Sequence, residues 1–469
     1  MDRYKKLASN TIVLAIGQFS SKVLSYILII LYTRAEWLET ADMSSATNIT
    51  NTANLLMSIV TISIGEAVIR FGLEKKINGT QVFSIGVFTA IFGFLVLAPF
   101  MPLISRLMNQ LNGSSGNGVL IYIFIITSSL RTICGFYVRS RGNVKLYALD
   151  GIITTFTLLI FGVIFMGVFK LKAVGYIISI IASDFLSIVF LFYMANLHKR
   201  LIVVGIDKEL RRSMIKYSLP LTPSLVAWWL ATSANGYFVT NMISREANGL
   251  YSAASKLPGI IVIISGIVSQ AWQMSAVTER NSRTVANFYT NVFNIYQGVV
   301  YVVASSMLLF NKQLTGFFGS NYSDAYKYTP FIIVGVMFSC FSTFLNSIYL
   351  ADKKSGKSFL TAFIGSMLNI ILSYVLVPII GVYGATIGSM VNFGVVFLIR
   401  AIDTQKIVLI TYNKLKIGLN IGFIFIMALL IIFEKPYSFI IRAVLFVLIV
   451  AMNFKTCMAG VMKVISKKR

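Results

Sequence analysis

Long apolar stretches recur along the whole sequence and are separated by short polar segments. Most of them are about 20 residues long, the length that an α-helix needs to cross roughly 30 Å of hydrocarbon. Fourteen such stretches can be counted, at residues 11–32, 43–65, 82–105, 118–138, 147–168, 173–195, 217–241, 250–275, 288–310, 329–350, 358–379, 383–399, 413–433 and 438–457. The pattern predicts an all-α polytopic membrane protein with about 14 transmembrane helices.

The composition agrees with a chain that is surrounded by lipid. Of its 469 residues, 57% are hydrophobic and only 12% are charged, whereas a soluble protein carries about 25% charged residues. The formal net charge is +25, but the basic residues are spread over short loops and do not form one surface. This dispersion argues against nucleic-acid binding.

The basic residues also predict how the chain is oriented. Most of the 41 lysines and arginines lie in alternate loops, and loops rich in these residues stay in the cytoplasm. The distribution predicts that both termini are cytoplasmic. The basic inner surface would favour contact with anionic membrane lipids.

Residues that would support enzymatic chemistry are scarce. His198 is the one histidine, and the three cysteines have no paired spacing for a metal or a disulfide framework. No nucleotide-binding or zinc-binding motif is present. The sequence therefore predicts a protein that is not an enzyme and holds no metal or cofactor.

Three predicted helices carry a polar face, because their polar residues recur at steps of three or four positions. These residues include Gln18 and Lys22 in the first helix, Asn51 and Asn54 in the second, and Lys256, Gln270 and Gln273 in the eighth. Such faces avoid lipid, and they either pack as seams between helices or line a polar cavity. For Gly384-x-x-x-Gly388 the seam is the favoured interpretation, because the motif carries no charge.

Lys22 is the strongest indication of a cavity. It lies about eleven residues from the inner end of the first predicted helix, which is roughly 16 Å at the α-helical rise. A charge at that depth costs at least about 2.5–3.5 kcal/mol and usually faces water or a partner. Arg131 and Lys256 lie closer to helix ends, so snorkelling to the interface explains them as well as a cavity does.

Charged residues at the predicted interfaces and acidic residues within the spans complete the set of candidates. Arg34 and Arg70 are interfacial, and Glu66 could form a local pair with Arg70. Asp184 is central in the sixth predicted helix and Asp150 is near the inner end of the fifth. Asp184 is a candidate proton or cation site, or else a counter-ion to a basic residue.

Weak internal repetition suggests two related halves. Corresponding residues at the starts of three helix pairs lie 208 to 210 positions apart, for example Gly175 and Gly384. We therefore expect two pseudo-symmetric six-helix lobes, at residues 1–200 and 201–402, followed by two additional helices at 403–469. This arrangement is typical of transporters with repeated halves.

Several stretches resemble one protein family. They are "YKKLASNTIVLAIGQFSSKVLSYILIILYTR", "GEAVIRF", "NGLYSAASKLPGIIVIISGIVSQAWQMSA" and "GVYGATIGSMVNF". The sequence is similar to Wzx-type polysaccharide-biosynthesis flippases of the multidrug/oligosaccharidyl-lipid/polysaccharide (MOP) exporter superfamily. The resemblance implies a MATE-like transporter in the bacterial cytoplasmic membrane that flips an undecaprenyl-pyrophosphate-linked glycan.

The resemblance also implies roles for particular residues. The family pattern maps onto Lys22, Arg34, Glu66, Arg70 and Lys256, whereas Asn235 and Gly236 stand where relatives often have an Asp-Arg pair. A pyrophosphate needs fixed positive charge on its path, so the expected cavity cations are Lys22, Arg34, Arg70, Arg131 and Lys256. Sugar hydroxyls would meet Gln18, Asn51, Asn54, Gln270 and Gln273, and a proton or sodium gradient would act through Asp184, Asp150 or Glu66.

Two other functions stay open at this point. A cation-coupled multidrug exporter of the same superfamily would favour an acidic or aromatic cavity, whereas the charge within these spans is mostly basic. A non-transporting scaffold for cell-wall assembly would use the same residues for packing only. For a flippase, polysaccharide polymerase and glycosyltransferases would be the expected partners.

Overall fold

The structure is a computed structural model that describes residues 24, 26–74, 76–112, 118–266, 285–352, 354–434 and 436–466. Most of these residues are helical, and no strand occurs within these ranges. The predicted all-α fold class is confirmed. The chain divides into two compact units, Met1–Ser233 and Ala234–Arg469, and the lobe boundaries expected at residues 200 and 402 stay predictions.

Unit 1 begins its described part with helical residues 26–34. Its labelled helices are α1 (Thr40–Val60), α2 (Ile64–Gly72), α3 (Gly79–Leu97), α4 (Met101–Asn112), α5 (Gly118–Ser140), α6 (Val144–Gly162), α7 (Lys172–Met194), α8 (Lys208–Ser218) and α9 (Leu221–Met242), the last of which continues into unit 2. Side-chain caps help to set where some of them begin. Asn78 Oδ1 accepts a hydrogen bond from the Thr80 amide, and Asp207 Oδ1 accepts one from Glu209.

Unit 2 has the same all-helical construction. Its helices are α10 (Arg245–Lys256), α11 (Val285–Leu309), α12 (Asn311–Gly316), α13 (Ala325–Ala351), α14 (Ser355–Ile380), α15 (Val382–Asp403), α16 (Lys414–Ile432) and α17 (Ser438–Ser466). Residues 259–266 are also helical. The Phe293 ring of α11 lies 6.2 Å from Phe341 and 5.0 Å from Phe344 of α13, so buried aromatic rings join these two helices.

Many of these helices are suited to a membrane. Within the described ranges, 11 helices are long and apolar enough to cross one, or 12 if α1 and α2 form a single broken span. The count of 14 is not confirmed, because most of the predicted first span, 11–32, lies outside the described residues. The predicted seventh span does form a helix, α9, but it falls outside the 11 because polar residues such as Thr232 and Asn235 interrupt it.

The break between α1 and α2 is a distinctive feature of unit 1. The two helices meet at 59°, and the connecting residues Ile62 and Ser63 have φ values of 45° and 55°. Left-handed backbone is costly for a β-branched residue such as isoleucine. The Ser63 hydroxyl lies 3.1 Å from the Thr222 hydroxyl, so α9 helps to hold the break in place.

The Gly384-x-x-x-Gly388 motif lies where α14 and α15 pack against each other. A Cβ atom added to Gly384 would come within 2.5 Å of the Val377 amide nitrogen, and one added to Gly388 would overlap the Ser373 hydroxyl. The two helix backbones therefore approach as closely as glycine allows. This geometry agrees with the interpretation of the motif as a helix seam.

Candidate functional site

Three helices of unit 1 bring one basic and two acidic side chains together. Arg131 projects from α5, Asp150 from α6 and Asp184 from α7. The Arg131 Nη2 atom lies 3.3 Å from Asp150 Oδ2, and its Nη1 atom lies 3.4 Å from Asp184 Oδ1. The structure thus pairs Asp184 with Arg131 as a counter-ion, which is one of the two alternatives expected from the sequence, and its role as a proton or cation site stays a prediction.

Two serine side chains complete this ion cluster. Ser128 donates a short hydrogen bond to Asp184 Oδ2, and Ser187 donates one to Asp150 Oδ1. Arg131 Nε in turn donates to Ser187 Oγ at 3.1 Å. Each of the four carboxylate oxygens therefore has a donor, which is what burial of charged groups requires.

The ion cluster holds more acid than base. Asp150 is 2% exposed and Asp184 is 4% exposed, while the side chain of Arg131 is 31% exposed. With both carboxylates ionised, the three side chains carry one excess negative charge in a largely water-free position. Because isolated buried charge is strongly disfavoured, a proton or a bound cation would balance the cluster.

Arg131, Asp150 and Asp184 were candidates from the sequence, whereas Ser128 and Ser187 were not. The spacing of these serines from the charged residues along the sequence could have indicated them. Ser128 and Arg131 are three residues apart on α5, and Asp184 and Ser187 are three apart on α7, so each pair shares one helix face. A polar pair at this spacing in two successive apolar helices indicates that the two faces meet.

Other predicted site residues of unit 1 lie elsewhere. Arg70 Nη1 lies 2.6 Å from Glu74 Oε1, so the ion pair of Arg70 is with Glu74 instead of the expected Glu66. Arg34 is exposed at the end of helical residues 26–34. None of these side chains belongs to the ion cluster around Arg131.

The polar face of α1 is only partly buried. Asn54 is exposed, Asn51 is half-buried, and the Asn51 carbonyl oxygen accepts a hydrogen bond of 2.7 Å from Trp229 Nε1. This bond joins α1 to α9 within unit 1. The contact uses the backbone of Asn51 and not its side chain, while the side-chain amide of Asn54 is exposed.

A small cavity of about 160 Å³ adjoins the break between α1 and α2. Its lining includes Ser63 from the break, Glu66 from α2, and Ser129 and Thr132 from α5. Ser129 and Thr132 flank Arg131 in sequence, so α5 contributes to both the cavity and the ion cluster. Glu66 is exposed and lines this cavity.

Unit 2 contains a neutral polar cluster at the position where the sequence departs from the family pattern. Asn235 Nδ2 donates to the Ala385 carbonyl at 2.9 Å and to Ser389 Oγ at 2.8 Å. Asn369 Nδ2 donates to Asn235 Oδ1 at 3.1 Å. Asn235 and Asn369 are fully buried, so this cluster links α9, α14 and α15 without a charged side chain.

The remaining predicted residues lie at the end of α10 or outside the described residues. Lys256 is the last residue of α10 and is half-buried. Lys22, Gln18, Gln270 and Gln273 lie outside the described residues. Within unit 1 the structure therefore brings together Arg131, Asp150 and Asp184, and it leaves Arg34 and Arg70 apart from them.

Comparisons with known proteins show a family match for the sequence and several solved structures with a similar fold. A family model described as "Polysaccharide biosynthesis protein" matches residues 7–274. A structure of the lipid II flippase MurJ in an inward closed conformation has a TM-score of 0.73 at 15% identity, with 96% of this chain and 100% of that chain covered. An inward-facing multidrug resistance MATE family transporter of the MOP superfamily has a TM-score of 0.66 at 14% identity, covering 84% and 95% of the two chains.

A third solved structure, MATE in complex with MaD3S, has a TM-score of 0.61 at 15% identity and covers 86% of this chain and 96% of that chain. No curated protein sequence matches the chain. At these low identities the structural likeness establishes a fold shared by MATE transporters and MurJ, with many membrane-spanning helices.

Proposed function

The chain belongs to the polysaccharide biosynthesis protein family, and from that membership we propose that it is a flippase for a lipid-linked oligosaccharide. The substrate would be an oligosaccharide joined through pyrophosphate to undecaprenol. The protein would move it from the inner to the outer leaflet of the bacterial cytoplasmic membrane by alternating access, with both of its own termini in the cytoplasm. Glycosyltransferases would supply the substrate and a polysaccharide polymerase would consume it.

The observation that carries this proposal is the family match, which spans residues 7–274 and so more than half of the chain. The fold supports a transporter, because the structures that share it are a flippase and multidrug transporters. A polyprenyl substrate also explains why a family of polysaccharide biosynthesis would need a protein so rich in membrane-spanning helices.

Basic residues within the predicted spans and at their ends would bind the pyrophosphate. Lysine and arginine form charge-assisted hydrogen bonds with phosphate oxygens, which offset part of the cost of moving the anion through hydrocarbon. We assign this role to Lys22 first, since its sequence position puts it deepest in a predicted span, and then to Arg34, Arg70 and Lys256. Arg131 is less suited to it, because its guanidinium already faces two carboxylates.

The ion cluster of Arg131, Asp150 and Asp184 is our candidate for coupling transport to a proton or sodium gradient. Its excess negative charge can be balanced by a cation in one step of the cycle and exposed to water in another. The cation would enter and leave along α5, where the Arg131 side chain keeps 31% of its surface accessible.

The test of the flippase is leaflet transfer of a lipid-pyrophosphate oligosaccharide in vesicles that contain the purified full-length protein. We expect transfer by the wild type, a large loss for Lys22→Ala and partial retention for Lys22→Arg. Lys145→Ala removes an exposed lysine and serves as the control that should transfer normally. Transfer that is equally fast in protein-free vesicles would refute the proposal.

A multidrug exporter is the second candidate, and the buried acidic pair Asp150 and Asp184 favours it because drug exporters of this kind carry cationic substrates. The same vesicles distinguish the two functions. Export of an organic cation that is driven by a proton or sodium gradient, and is lost in Asp184→Asn, would support the exporter. If Asp184→Asn instead removes the gradient dependence of glycolipid transfer, the ion cluster couples the flippase.

A further inference from the structure

An apolar groove of about 850 Å³ lies in unit 1, apart from the ion cluster. One wall is the face of α3 from Ile85 to Phe92 and onward to Phe100. A second wall is the end of α1 and the break, including Ile62, and a third comes from residues 203–215. Exposed side chains such as Phe92, at 69%, show that the groove is open to its surroundings, which for an apolar helix face means lipid.

The groove is longer than one leaflet of a bilayer. Its lining along α3 and the turn that follows runs from Ile85 to Phe100, which is about 22 Å at the helical rise. Half of a hydrocarbon core of roughly 30 Å is about 15 Å. A single apolar chain lying along this groove would therefore contact protein over more than the thickness of one leaflet.

Positive charge is present at one end of the groove only. Among the described lining residues the one charged side chain is Arg211 of α8. The segment that leads into α8 is fixed to the start of α3, because Gln81 Nε2 donates to the Gly205 carbonyl at 3.3 Å and the Ile202 amide donates to Ser84 Oγ at 2.9 Å. Arg211 therefore enters from the end of the groove that is nearest Gly79.

The same segment has the properties of a membrane-interface element. Val203 and Val204 are 73% and 87% exposed, although valine normally avoids water, and Arg211 and Arg212 follow on α8. Exposed apolar residues beside basic ones are typical of segments that lie in the headgroup region of a membrane. Arg211 would thus meet phosphate at the level where lipid headgroups lie.

We propose that this groove binds the chain of a polyprenyl phosphate lipid, with the phosphate held by Arg211. The inference rests on the proposed function in one respect, since such a lipid is the carrier part of the proposed substrate. A ligand with one anionic head and one long apolar tail matches a groove with one cation at one end and hydrocarbon side chains along the rest. The chain would lie against Ile62, so that binding contacts the break between α1 and α2.

The test is photolabelling of the full-length protein in nanodiscs of neutral phosphatidylcholine, with a polyprenyl phosphate that carries a photoreactive group in its chain. We expect labelling within residues 85–100 that is competed by unlabelled polyprenyl phosphate and much less by dioleoyl phosphatidate at the same concentration. Arg211→Gln should weaken labelling about tenfold, since a hydrogen bond to a charged group contributes roughly that factor.

Two variants control this experiment. Arg212→Gln removes the neighbouring exposed charge, which does not line the groove, and should label as the wild type does. Thr89→Trp fills the groove from α3 and should abolish labelling while the protein keeps its thermal unfolding midpoint. Equal competition by phosphatidate, or equal loss in Arg211→Gln and Arg212→Gln, would overturn the proposal.

Glycolipid transfer in vesicles separates this inference from the proposed function. If transfer by the wild type proceeds but no label enters residues 85–100, the groove proposal fails and the flippase stands. If labelling depends on Arg211 but no transfer occurs, the groove binds the lipid and the flippase proposal fails.

Discussion

Arg131 Nη1 lies 3.4 Å from Asp184 Oδ1, across the contact between α5 and α7. The same guanidinium lies 3.3 Å from Asp150, so one arginine stands between two carboxylates that would otherwise repel each other in a buried position. Removing the arginine should therefore be more harmful than removing either acid.

Arg131→Gln should destabilise unit 1 strongly. Breaking a buried ion pair by deleting one partner costs about 3–5 kcal/mol, because the other charge is left uncompensated. Thermal unfolding of the purified protein in one detergent measures this as a lowered midpoint. Arg70→Gln is the matched control, since its pair with Glu74 is exposed and such pairs contribute about 1 kcal/mol or less.

A double variant makes this prediction more specific. Arg131→Gln combined with Asp184→Asn removes one charge of each sign and should recover a large part of the lost stability. A double variant that is no more stable than Arg131→Gln alone would show that the arginine stabilises the helices by packing and not by charge.

A glycine substitution should relieve backbone strain at the break between α1 and α2, whereas in the adjoining helix α1 it should reduce stability. Ile62 has a φ of 45°, and this backbone costs roughly 1–2 kcal/mol for a residue with a Cβ atom. Ile59 is in the regular helix α1, where glycine costs about 1 kcal/mol. Both substitutions remove the same side chain from the same groove.

We therefore expect Ile62→Gly to be more stable than Ile59→Gly, by about 2 kcal/mol once the two backbone effects are combined. Unfolding midpoints of the two variants, measured side by side, provide the comparison. Equal midpoints would mean that the break is not held in the left-handed conformation in the membrane protein.

The close approach of α14 and α15 predicts a severe effect of one methyl group. In Gly384→Ala the new Cβ would meet the backbone of residues 376 and 377, which cannot move aside as a side chain can. Overpacking of this kind costs about 1–3 kcal/mol. Gly422→Ala on α16 is the control, because no atom lies within 4 Å of its added Cβ, and it should leave the unfolding midpoint unchanged or slightly higher.

Apolar periodicity predicted most of the fold, because a membrane forces each crossing segment to be both long and apolar. Helix α9 forms although it contains Thr232 and Asn235, since these polar groups are bonded within the protein. The break at Ile62 could not be predicted, because isoleucine has no local preference for a left-handed backbone.

For the candidate site, the individual charged residues could be predicted from the sequence, but their arrangement could not. Asp150, Asp184 and Arg131 were each recognised as unusual in apolar helices, but their meeting depends on how α5, α6 and α7 rotate against one another. The groove that ends at Arg211 could not be recognised from sequence either. It depends on the segment around Gly205 folding back onto the start of α3, a contact between residues more than a hundred positions apart.

The neutral cluster around Asn235 should not tolerate a carboxylate. Asn235→Asp replaces an amide group that donates to the Ala385 carbonyl with an oxygen that would face that carbonyl, in a fully buried position. An unpaired buried acceptor costs about 1–3 kcal/mol and a charge costs more, so the unfolding midpoint should drop sharply at neutral pH. Because a protonated carboxyl can donate, the loss relative to wild type should shrink as the pH is lowered.

Asn420→Asp is a matched control for this prediction. Asn420 is also fully buried in unit 2 and is bonded to Asn453, but Lys416 lies one turn earlier on the same helix and can compensate a new charge. We expect Asn420→Asp to cost less than Asn235→Asp and to depend less on pH. If Asn235→Asp is instead stable at neutral pH only when sodium is present, the cluster accepts a cation once it has a carboxylate, and coupling could then be introduced into unit 2 by a single substitution.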